Sequence, residues 1–188
     1  MTALRAVLGA VLVVAAALLQ LGLAPVASIG GVVPDLVLLV VIAAALTRDP
    51  VFATSLAFGA GLLLDLAPPA DHIAGRWALA LVIVAYLVGR IRHDAASSAL
   101  LSLATVAAAA FTATSVFALT GLLLGDPAVP VSAALGVLPT AILLDVLVAP
   151  FLLPPLMAAF RYERSEVPST WTAGRSRYDS LGSVSVMS

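Results

Sequence analysis

Six apolar runs, at residues 4–24, 33–47, 51–67, 77–89, 99–125 and 132–159, take up most of this chain. Turn-forming and charged residues separate them: "APVASIGG", "TRDP", "PPADHIAGR", "GRIRHDAASS" and "GDPAVP". Bilayer hydrocarbon is about 30 Å thick, so a spanning helix needs roughly 20 apolar residues. Runs one, five and six meet that length. Runs two to four are short, and must borrow flanking residues, thin the bilayer locally or lie inside a bundle. Of the 188 residues 62% are hydrophobic and 10% charged, whereas water-soluble domains carry about 25% charge. No aqueous interior of this size holds so much apolar surface. The chain reads as an all-α, polytopic membrane protein with six transmembrane helices.

Composition also removes whole classes of function. The net charge of −1 offers no footprint for nucleic acid. There is no cysteine, hence no disulfide, thiolate metal site or cysteine nucleophile. His72 and His93 are far apart, and neither has a second ligand at metal-site spacing. No Ser/His/Asp grouping or Walker-type loop is present. The expectation is a protein without enzymatic activity, metal or cofactor.

All nine basic residues are arginine, and their placement orients the chain. With six spans and a cytoplasmic N-terminus, the inside holds Arg5, Arg48, Arg90, Arg92, Arg161, Arg164, Arg175 and Arg177. The outside holds Arg76. A re-entrant hairpin of runs two and three, with "TRDP" at its tip, leaves the other loops unchanged. It would bury an arginine at costly depth, so six spans are favoured. Run one is too long for the apolar part of a signal peptide, and Pro25 follows the plausible cleavage residue Ala24. It is read as a retained helix. Residues 1–160 form the membrane domain. Residues 161–188 are polar and aperiodic, and read as a disordered cytoplasmic tail with Arg161 and Arg164 as headgroup anchors.

Carboxylates stand inside the oil. An aspartate at a membrane helix centre costs about 2.5–3.5 kcal/mol on insertion scales, so it must face protein, pair or take up a proton. Ala53, Ala57, Gly61 and Asp65 are spaced by four and form one stripe of a helix face. Small residues at that spacing admit a neighbouring backbone. Ala141, Asp145 and Ala149 repeat the pattern, which points Asp145 to an internal polar contact. Asp65 stands close to Pro68 and Pro69, where reaching interfacial water is an equal alternative. Pro34 and Asp35 open run two, where proline and a carboxylate both suit a helix start. Gly121-Leu122-Leu123-Leu124-Gly125 is a small-xxx-small pattern, or merely a helix end. Pro139, Pro150, Pro154 and Pro155 break run six and predict unwound backbone, with Pro150 and Pro154 each removing a helix bond and bending the rod. Gly59-Ala60-Gly61 does not adjoin Asp65 as in the glycine-framed motif of intramembrane aspartyl proteases, so protease chemistry is not supported.

These stretches together resemble the MreD family of the bacterial rod-shape system. The similar parts are "PDLVLLVVIAAALTRDP", "FATSLAFGAGLLLDLAPP", "LALVIVAYLVGRIR" and "LLDVLVAPFLLPPLMAAFRYER". Pro34, Asp35, Gly59, Gly61, Asp65, Tyr86 and Gly89 match the family pattern. Asp145 departs from it, since the family often carries an amide there, and "PPADHIAG" is a loose version of the family's loop. The resemblance implies a non-enzymatic scaffold with a fold like the substrate-binding subunits of energy-coupling-factor transporters. It implies a cytoplasmic-membrane location, MreC as partner, and a wider complex with MreB, RodA and a class B penicillin-binding protein. Those seven residues, with Ala57, Asp145 and Pro150, are the candidates for helix packing or partner binding. The alternative is a vitamin-binding transporter subunit, for which only Asp71, His72 and Trp77 offer pocket groups.

Overall fold

The computed structural model describes residues 3–29, 31–68, 73–95, 98–125 and 131–162. They form six helices: α1 (Ala3–Ala27), α2 (Leu36–Thr47), α3 (Pro50–Leu66), α4 (Arg76–Ala95), α5 (Ala99–Leu123) and α6 (Val131–Tyr162). No strand occurs among the described residues. Of the tail expected at 161–188, Arg161 and Tyr162 still belong to α6, and the rest lies outside the described residues, as do Asp71 and His72.

The second helix explains the architecture. It is apolar on every side, "LVLLVVIAAALT", and a helix of that kind has no face to show to water or a headgroup. Leu36 through Leu46 are all buried. At 12 residues it is about 18 Å long, well short of the hydrocarbon thickness. The bundle resolves that mismatch by enclosing it. It packs on each of the other five helices, which follow one another around it in the order α1, α3, α4, α5, α6. The outer helices turn apolar side chains outward, among them Leu18, Phe58, Leu100, Leu119 and Phe151.

Local chemistry sets the helix ends. Asp35 caps α2, its carboxylate accepting the Leu38 N–H at 2.9 Å. Asp49 caps α3 by accepting from Phe52 N at 2.9 Å, and Pro50 takes the first helical position. The turn between α2 and α3 is thus two residues, Arg48 and Asp49. Between α1 and α2 the chain reverses at Gly31, whose φ of 81° an L side chain rarely adopts, with Ile29 and Val32 bonded across it. α1, α5 and α6 are long and apolar enough to cross a membrane by length and composition.

One expectation is corrected. The prolines of run six predict unwound backbone, yet α6 stays helical through Pro139, Pro150, Pro154 and Pro155. Each proline removes one N–H. In apolar surroundings the remaining bonds have no water to compete with them, so the helix holds.

Candidate functional site

Three polar junctions interrupt the apolar interior. At the first, Asp65 is 1% exposed, so it does not reach interfacial water. Its carboxylate accepts the N–H groups of Gly75 (2.8 Å), Trp77 (3.0 Å) and Ala78 (3.2 Å). First-turn amides have no acceptor within their own helix, and the positive helix end favours a carboxylate. Asp65 on α3 therefore caps α4. Gly61, one turn earlier, makes this reach possible. A Cβ there would lie 2.6 Å from the Trp77 carbonyl carbon and closer still to the Ala78 backbone. Ala53 and Ala57 continue the same buried face.

Arg76 turns inward beside it and is 2% exposed. Its Nε and Nη2 donate to the Phe117 carbonyl at 3.2 and 2.6 Å. Its Cζ lies 3.9 Å from the centre of the Phe117 ring, against which Trp77 also packs at 4.7 Å. Gly121 leaves room for the guanidinium: a Cβ would sit 2.6 Å from Arg76 Cζ. From sequence Arg76 counts only as an outside charge, and Gly121 as a small-residue packing position or a helix end. Here one is an interior anchor and the other the space that holds it.

The second junction joins three elements. Asp145 of α6, 2% exposed, accepts the Asp35 backbone N–H at 2.6 Å. Gln20 of α1 accepts from Val37 N at 3.3 Å. Gln20 escaped sequence reading, although a lone amide in an oily helix is a signal of interior contact. The third junction is basic. Arg92 Nη1 donates to the Arg48 carbonyl at 3.0 Å. Arg48 is buried over the Phe52 ring, which meets Phe160 edge-on with centroids 6.2 Å apart. Ser102 Oγ donates to the Ala95 carbonyl at 2.8 Å. The starts of α3 and α5 and the ends of α2, α4 and α6 therefore share one end of the bundle. Ala6 lines a groove with Phe52, which brings the start of α1 to that end.

The sequence candidates separate into two sets. Asp35, Ala57, Gly61, Asp65 and Asp145 sit at helix contacts, with Pro34 partly buried beside Asp35. Gly59, Tyr86 and Pro150 are exposed, and nothing lies within 4 Å of a Cβ at Gly59 or Gly89. Arg90 stands over the Tyr86 ring at 5.3 Å. Gly59 borders an open apolar groove of about 370 Å³ between α1 and α3, with Ala6, Ala10, Val14, Ala60 and Leu63. Among the described residues no cluster of three or more His, Asp or Glu is arranged to hold a metal.

Gln20, Asp65, Arg76 and Asp145 each exchange hydrogen bonds with backbone groups of another element, which is chemistry of assembly. Those contacts and the lipid-facing exterior make this a polytopic helical membrane protein. A family model described as rod shape-determining protein MreD matches residues 1–162, and the chain belongs to the MreD family. Comparison with curated proteins and with solved structures returned no match.

Proposed function

We propose that this protein is a non-enzymatic scaffold of the elongation machinery in the bacterial cytoplasmic membrane, which binds MreC and helps to position peptidoglycan synthesis. Membership of a rod shape-determining family supports the role. The observation that carries the mechanism is the open groove between α1 and α3, lined by small and apolar residues. Helices associate in lipid by close packing over small residues, and this groove suits the single membrane helix of MreC. Gly59 faces it, whereas Ala57 and Gly61 are committed to the interior.

The proposed orientation has both chain ends in the cytoplasm and six spans. Arg48, Arg92 and Arg161 belong to the end of the bundle where α2, α4 and α6 finish, and Arg76 to the opposite end. The Arg48–Asp49 turn reaches the bundle end beside Arg92, which favours spanning over a re-entrant hairpin.

A photo-crosslinking residue at Gly59 in growing cells tests the reading. It is expected to capture MreC, while the same probe at Ala57 captures nothing. Absence of MreC adducts from Gly59, Ala10 and Leu63, with normal rods in a Gly59→Trp strain, would overturn it.

A further inference from the structure

A second groove, of about 550 Å³, opens between the start of α5 and the last turns of α6. Leu103, Ala149, Leu153 and Met157 give it an apolar wall, and Pro150 and Pro154 border it without offering an N–H. Its polar end is cationic. Arg161, exposed in the last turn of α6, lines it together with Ser102 and Ala99. Ala99 is the first residue of α5, and the Ser98 side chain makes no capping bond to that helix start. Among the described residues no acidic side chain lines the groove.

A long apolar trough with one positive end is complementary in charge and polarity to an anionic amphiphile. A purely apolar partner helix would leave the guanidinium unanswered. Basic pockets between membrane helices take lipid headgroups, and a guanidinium binds phosphate through paired N–H groups. We propose that this groove binds an anionic phospholipid, with an acyl chain along Leu103, Leu153 and Met157. The phosphate then sits between Arg161 and the positive end of α5.

Native mass spectrometry of the purified full-length protein tests this. Delipidated protein is offered phosphatidylglycerol, phosphatidylcholine with the same acyl chains, or inorganic phosphate. Phosphatidylglycerol is expected to be retained preferentially. Arg161→Gln, at an exposed position, should lower its retention roughly five-fold, as expected for one arginine–lipid attraction, with thermal unfolding unchanged. Ala158→Trp, which fills the groove, should reduce retention of both lipids. Equal retention of the two lipids, or a preference surviving Arg161→Gln, overturns the proposal. So does displacement of phosphatidylglycerol by inorganic phosphate, or a protein crosslinked to Ala158 in native membranes.

Discussion

The Asp145 carboxylate accepts the backbone N–H of Asp35 at 2.6 Å, tying the body of α6 to the start of the enclosed helix α2. Asp35 itself accepts from Leu38, and Gln20 accepts from Val37. Three side chains thus answer the amides at the start of a helix that water does not reach. In hydrocarbon an unanswered amide costs several kcal/mol, so a carboxylate inside the membrane is here a solution to a backbone problem.

Asp145→Asn should be well tolerated, because the amide oxygen accepts the same N–H. Asp145→Leu leaves that donor bare and should cost about 1–3 kcal/mol. Thermal unfolding of both variants in detergent separates the two. Equal melting temperatures would remove Asp145 from its capping role.

Asp65→Leu withdraws the acceptor from three amides at once. Stability should fall by roughly 3 kcal/mol or more, or on the order of 5–10 °C in melting temperature. Membrane insertion should remain intact by fractionation, since the substitution raises hydropathy. Recovery of MreC should weaken as the α3–α4 pair loosens. Wild-type melting and wild-type recovery together would contradict this account.

Gly61 and Gly59 are two positions apart and should respond oppositely. Gly61→Ala drives a methyl into the α4 backbone and should cost about 1–3 kcal/mol. Gly59→Ala meets nothing within 4 Å, and should gain up to about 1 kcal/mol from helix propensity. Paired unfolding curves decide the matter, and a shared sign refutes the packing asymmetry.

Gly121→Ala should destabilise the wild type through collision with the Arg76 guanidinium, and much less in an Arg76→Leu background. A double-mutant cycle should show coupling of about 1 kcal/mol or more. Additive effects would separate the two residues.

Orientation has its own check. Cysteines placed at Ile73 and Ser98 stand at opposite ends of the bundle. An impermeant thiol reagent applied to intact cells is expected to label the first and spare the second. Labelling of position 98 alone would invert the proposed topology.

Much of the fold is legible in the chain because its signals are local. Apolar runs marked six helices, and the four-residue spacing of Ala53, Ala57, Gly61 and Asp65 marked one helix face. The run ending at Leu87–Gly89 fell short of α4, which continues to Ala95. Charge at Arg90, Arg92 and His93 ends an apolar run without ending a helix. The all-round hydrophobicity of α2 demanded enclosure, but not by which neighbours.

Where each polar group ends is another matter. That Asp145 meets Asp35, that Asp65 caps α4, and that Gly121 makes room for Arg76 depend on how the helices stack. The physical reason is the nature of the partners. A carboxylate that binds backbone N–H groups leaves no complementary side chain to find, since every residue except proline offers the same donor. Local periodicity therefore determined which residues turn away from lipid. Only the assembled bundle decided which amide, ring or empty space each of them meets.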